Sequence, residues 1–302
     1  MFGLRRSELE EPVELAAGEL PGIHLDGINI SLAEELLVDA PGGRVDVSGS
    51  RLDVGTDEVG GRIALTGDSI NVDGESELIA KGRNGGGLIE VGGSWQNSDA
   101  SVRQAITTQI EQGAVLDASA IKDGDGGEIV VWSDITNPDS VTTVAGTLLA
   151  SGGREGGDGG DIETSGFVLD VAGIDVDSTA SKGEQGLWLL DPFDYTLGSS
   201  EALAIKTALE AGTDVTISTA ASTNTVGSDS VAAAGSESDT AGTITIASPI
   251  DVSSGNPGAN LTFNADKDII VNANISSSGS ADKNLAFVAK DGVTIASGVT
   301  IN

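Results

Sequence analysis

Short runs in which apolar and polar residues alternate recur along the chain, each bounded by Gly, Asn, Asp or Ser. GGRIALTG, DSINVDGE and SELIAKGRN, consecutive between Gly60 and Asn84, each alternate over four or five positions. Alternation at period two is the pattern of a strand with one buried face, and the small polar residues between runs supply corners. Three such strands use about 24 residues, and stacking units of that kind buries a continuous aliphatic core.

One motif marks the units: two glycines, any residue, an aliphatic residue, then alternation. It reads GGRVDV at Gly42, GGRIAL at Gly60, GGLIEV at Gly86, GGEIVV at Gly126 and GGDIET at Gly159, with a degenerate QGLWLL from Gln185. The intervals are 18, 26, 40, 33 and 26 residues, so a constant rung alternates with connections of variable length. Near the end the period is cleaner. Leu261 and Phe263 recur 24 residues later as Leu285 and Phe287, and Ile269, Val271 and Ile275 recur as Val293, Ile295 and Val299. Equal positions about 4.8 Å apart would form ladders of like residues, which predicts an all-β chain, a parallel β-solenoid. In this reading Ile63, Ile89, Ile129 and Ile162 stack on one inner face.

Ser199–Ala211 departs from the pattern. SSEALAIKTALEA is rich in helix formers, with Ser199 or Ser200 as N-cap, Gly212 as stop, and Ala202, Ile205, Ala208 and Leu209 on one face. The organisation expected is a flank over 1–40 that begins the solenoid, rungs over 41–197, and a helix with a Ser/Thr/Ala/Gly-rich loop over 198–242. Residues 243–302 form further coils. Residues 187–215 read as a junction where the helix packs beside the rungs, and 95–112 and 219–241 as surface insertions able to carry recognition.

Composition narrows the function classes. Against 15 Lys and Arg stand 47 Asp and Glu, a formal charge of −32. Such a chain lacks the positive footprint that nucleic acid or an anionic membrane requires; the charge suits a solvated surface on a long repetitive protein. The absence of cysteine removes thiol chemistry and Cys-based zinc sites, and a solenoid core needs no disulfides. No run approaches 18 apolar residues, so membrane insertion is not expected. MFGLRRSELEEPVEL has no apolar stretch after its arginines, so an export signal is expected upstream.

Four ordered segments, VGGSWQ (91–96), DGDGGEIVVWSD (123–134), LLASGGREGGDGGDIETSG (148–166) and GLWLLDPFDYTL (186–197), resemble filamentous haemagglutinin-like exoproteins, large bacterial adhesins. They are similar to the region following that family's secretion domain, and the alternating segments of 242–302 to its subsequent repeats. The resemblance implies a right-handed parallel β-helix and two-partner secretion. It also implies an outer-membrane transporter as partner through an upstream domain, and attachment at the cell surface to a receptor, carbohydrate included. The family's N-terminal secretion domain is absent and the chain stops in mid-repeat at VTIN, so a longer protein is expected.

Candidate chemistry is sparse. His24, in PGIHLDG, is the single histidine, and no GxSxG elbow accompanies any serine. Carboxylates are the stronger enzymatic option: Asp123 with Asp125, or Asp158, Asp161 and Glu163, could converge on one rung as in a polysaccharide-active β-helix. A sugar cleft also wants aromatic platforms, yet there are three Trp, one Tyr and five Phe. Trp95, Trp132 and Trp188 lie in alternating stretches and read as inward-facing. KDGDGGE and GGREGGDGGD share features with calcium loops but match neither an EF-hand nor a nonapeptide array; Asp in such Gly-rich turns ordinarily bonds backbone. The loop 152–160 lacks the GKS or GKT of a phosphate cradle. The expectation is a stalk that displays binding loops, with no catalytic residue, cofactor or metal. The alternatives are a polysaccharide-active enzyme and the stalk of a contact-dependent toxin.

Overall fold

The computed structural model of the protein describes residues 13–16, 22–219, 242–252, 258–277 and 284–302. The chain is mostly β, in large parallel sheets, with a single α-helix among the described residues. No described helix is long and apolar enough to cross a membrane. The loop reading of 219–241 falls almost wholly outside the described residues.

Each pass of the chain lays down three short extended segments. The first sheet takes Glu35–Ser48, Arg62–Val72, Leu88–Val91, Glu128–Trp132, Asp161–Gly166, Leu187–Pro192, Asp214–Ser218, Leu261–Ala265 and Leu285–Ala289 in that order, each parallel to the next. The second halves of Glu35–Ser48 and Arg62–Val72 bend onto a second set with Thr107–Ile110, Val141–Val144 and Val168–Asp170. A third set runs from Asn29–Ser31 through Arg51–Asp53, Glu77–Ile79, Val115–Asp117 and Thr147–Leu149 to Asp175–Asp177.

The register explains why these residues form these strands. Leu36, Ile63, Ile89, Ile129, Ile162, Trp188, Val215, Leu261 and Leu285 are successive Cα partners, so the expected isoleucine column is present and extends in both directions. Eight of the nine are buried and Leu285 packs against them. Burying each such side chain is worth about 1.5–3 kcal/mol as an upper figure. A parallel column two residues on runs from Val38 and Leu65 to Phe263 and Phe287, whose rings stack at 5.4 Å. Its one polar member, Thr164, accepts a hydrogen bond from Trp188 Nε1–H at 3.1 Å, which satisfies an indole otherwise sealed in the core.

The double glycine of the rung has a steric cause. A Cβ on Gly60, Gly86, Gly126 or Gly159 would collide with the carbonyl of Ala80, Ala118, Ala150 or Ser178, because the corner closes tightly against the end of the third strand. Gly42 differs: it has φ +68° and open space around it. GGRVDV is accordingly not a rung of the first sheet. Val45 pairs with Ile70 on the second set, while ELLVDA (35–40) occupies the rung beneath GGRIALTG. The interval of 18 was an accident of local composition, and a boundary at 40/41 would cut through the strand Glu35–Ser48.

Three other expectations are corrected. Residues 187–215 are not a junction beside the rungs, since Leu187–Pro192 and Asp214–Ser218 are both paired in the first sheet and it runs on to Leu261–Ala265. The helix α1, Ser199–Ala211, takes the place of a third-set strand, packing against Asp175–Asp177 on one side and Ile250–Val252 on the other. Its buried residues include the expected Ala202, Ile205, Ala208 and Leu209, and Gly212 caps it at φ 117°. The N-cap is Gly198 rather than Ser199 or Ser200. In the final pass Ile275 pairs with Ile301, not Val299, because the last corner is two residues longer than the 24-residue period allows.

Candidate functional site: carboxylates beneath a strap

The outward positions of the first sheet alternate with the inward columns. One outward row reads Ala64, Glu90, Val130, Glu163, Leu189, and the row beside it Arg62, Leu88, Glu128, Asp161, Leu187. Such positions ordinarily face water. Here residues 92–106 leave after Leu88–Val91, fold over the sheet and return at Thr107–Ile110. Their feet are tied together, Ala105 N–H donating to Gly92 O at 2.8 Å, as in an Ω-loop.

This strap seats on aromatic surface. Val130, Trp132 and Ile135 form a second apolar cluster separate from the main core, with Trp95 packed onto it. Trp132 therefore points outward, against the expectation that all three tryptophans face inward; Trp188 alone lies in the main core. Gly93 approaches so closely that a Cβ would overlap the Trp132 ring, which accounts for the glycines of VGGSWQ. Trp132 Nε1–H donates to Gln104 Oε1 at 3.1 Å. At the crest Gln96 and Asn97 hold positive φ, 45° and 54°, a conformation that costs non-glycine residues of order 1–3 kcal/mol each. Residues 107–110, expected within the surface insertion, belong to a strand.

What holds the crest down is a carboxyl group. The Gln96 N–H donates to Glu163 Oε2 at 2.8 Å, and Ser165 Oγ to Glu163 Oε1 at 2.8 Å. Glu163 is fully buried. Burial first, and then the charge of Asp191 on the next strand, raise its pKa well above the usual carboxylate range, against those two hydrogen bonds. Asp191, 4% exposed, has one oxygen with no hydrogen-bond partner, and burial pushes its pKa to about 7. Glu128 is also raised to about 7, by burial and then by Glu90 and Asp161. Arg62 serves the opposite end of the cluster, pairing with Glu35 and with Glu90, whose Oε2 lies 2.9 Å from Arg62 Nε. Beside it a cavity of about 130 Å³ is lined by Leu37, Asp39, Arg62, Thr66, Ser101 and Arg103. Carboxylic acids kept neutral near pH 7 can exchange protons in that range.

The carboxylates considered from sequence divide into two groups. Asp161 and Glu163 share the outward side of one strand, Asp161 at the exposed rim and Glu163 beneath the strap. Asp123, Asp125 and Asp158 lie apart, exposed in the corner turns. There Asp125 Oδ1 accepts the Asp158 N–H at 2.8 Å and Asp158 Oδ1 the Glu184 N–H at 2.7 Å, which is the turn role. His24 is exposed, with Nδ1 2.9 Å from Asp46 Oδ2. Among the described residues no group of three or more His, Cys, Asp or Glu is arranged to hold a metal ion. Glu90, Glu128 and Asp191 were not singled out by any motif. Their signal is an acidic residue in the outward column of successive rungs, visible only once the rungs are in register. No family model matches the chain, and no curated protein matches it.

Proposed function

We propose that the chain is a right-handed parallel β-helix serving as a display rod within a secreted surface adhesin. The observation that carries this reading is the inward column from Leu36 to Leu285, which no insertion, not even α1, interrupts. Nine stacked strands at about 4.8 Å give a stack of roughly 40 Å whose sides are free to carry loops such as the strap. The excess of acidic over basic residues keeps such a stack soluble and repels copies from one another. The ordered motifs add an outer-membrane transporter as export partner and a surface receptor as binding partner, with the rod anchored outside the cell.

The test is made on intact cells that produce the protein. An antibody to the segment 60–180 should label unpermeabilised cells, brief external protease should remove the signal, and in-frame deletion of the rungs should abolish attachment to a surface the parent strain colonises. Antigen found only after lysis would sink the reading. The carboxyl cluster around Glu163 favours a second one, a polysaccharide-active protein. It requires release of reducing ends or unsaturated products from acidic polysaccharides, lost in Glu163→Gln.

A further inference from the structure

The strap seals a carboxyl group, Glu163, away from water, and an ionised carboxyl tolerates such burial poorly. We infer that residues 92–106 form a pH-gated cover, seated on Val130, Trp132 and Ile135 while the carboxyl group beneath Gln96 is neutral and released as that group ionises. Four observations converge. The crest closes directly over Glu163, its N–H 2.8 Å from Oε2, so opening hydrates a titratable group, and burial outweighs the strengthening that ionisation would give this bond. The crest residues Gln96 and Asn97 stand at positive φ, so strain is relieved when the strap lifts. Asp191 is nine-tenths buried with one oxygen unpartnered, so the interior has no donor in reserve for a second negative charge. The feet close on each other through Ala105 and Gly92, so the strap can lift without disturbing the strands it joins.

The surroundings set the sign. Glu163 faces Asp191 from Leu187–Pro192, Asp161 on its own strand, and Glu128 from Glu128–Trp132. Glu90 from Leu88–Val91 is occupied with Arg62, and the strap brings Asp99 and Arg103, the latter 3.6 Å from Asp39. Ionised Glu163 would thus be one more anion among acids, with the nearest guanidinium groups already engaged. Burial and Asp191 raise the proton affinity of Glu163 in the closed form, whereas an open, hydrated glutamate ionises near pH 4.3. Between those two values opening releases one proton, so the opening constant rises about tenfold per pH unit; below and above them it is flat. Release bares the indole of Trp132 and its apolar neighbours, so the uncovered face becomes available only on the alkaline side.

Hydrogen exchange of the whole chain, followed by mass spectrometry from pH 4 to 9 and divided by intrinsic rates, reads the opening constant of 94–104. Peptides across the rung 187–192 serve as the reference for global unfolding. The wild type should show a rise of at least about tenfold per pH unit above pH ~4.3 in the strap, at opening constants well above those of the reference, which follow global unfolding and its own pH dependence. Glu163→Gln, neutral throughout, should lower that slope by about one decade per unit. Asp191→Asn, which removes the facing charge, should bring the upper plateau to lower pH, and this arm stands if Glu163→Gln does not fold. A flat wild-type profile, an unchanged slope in Glu163→Gln, or an unmoved plateau in Asp191→Asn would overturn the assignment.

Discussion

Ile129 stands directly between Ile89 and Ile162 as their Cα partner, and all three side chains are fully buried. A charge at this point has neither water nor a partner on either side. Ile129→Asp should therefore lose several kcal/mol, and Ile129→Val only about 0.5–1.5 kcal/mol. Urea midpoints of the two variants check the ratio; near-equal losses would mean that the column is not a dry interior.

Gly93 lies against the Trp132 ring, and alanine there leaves no room. Gly93→Ala should displace the strap at a cost of about 1–3 kcal/mol. Acrylamide quenching of tryptophan fluorescence should increase, while far-ultraviolet circular dichroism stays that of the wild type. Unchanged quenching would mean that the ring and strap do not meet.

Asp191 carries a global pH effect distinct from strap opening. Its folded pKa, about 7, is raised above the unfolded value. The neutral form thus favours the fold below pH ~4, and that advantage is lost as pH rises towards 7, an effect of a few kcal/mol. Urea midpoints should fall between about pH 4 and 7 in the wild type and fall less in Asp191→Asn. An equal decline in both would assign the effect to other groups.

Gly212 closes α1 in the left-handed region. Gly212→Ala should cost about 1–2 kcal/mol because a Cβ is strained at that φ. Thermal unfolding measures it, with Gly298→Ala, at φ 87° but with open space around it, as a comparison for strain at a site outside the helix.

Among the described residues the strands Leu285–Ala289 and Gly292–Ile295 are each paired on one side, and Val288, Val293 and Ile295 are exposed. An open parallel edge with apolar side chains templates association. Sedimentation velocity should show concentration-dependent oligomers of the 302-residue chain, reduced by Val293→Lys with Ile295→Lys. A monomer at all concentrations would contradict this.

The rungs were legible because two independent signals coincide in them, alternation and a double glycine that only a crowded corner demands. Ile63, Ile89, Ile129 and Ile162 carry both. GGRVDV carries the same letters, but Gly42 serves an open turn, and letters alone do not say which of three faces a strand joins. Trp132 looked inward because alternation gives phase only relative to neighbours, and Val131, not Trp132, shares the phase of Ile129. The buried carboxyls were illegible for a different reason. Asp191 and Glu163 are 28 residues apart, and only strand register together with the strap makes them neighbours in a water-poor space.

The replacement of a third-set strand by α1 has a mechanical consequence. Strand pairing in that set stops at Asp175–Asp177 and resumes only at Ile250–Val252, and among the described residues no pairing joins Val168–Asp170 to Tyr195–Leu197. At this level, among the described residues, strand pairing continues only in the first sheet, helped by a corner bond from Gly159 N–H to Glu184 O and by the stacked rings of Phe167 and Phe193. A force pulling along the stack is borne by three seams everywhere between Arg51 and Asp177 but by one here. The molecule thus contains its own shear pin, at which the two halves part before either is pulled open.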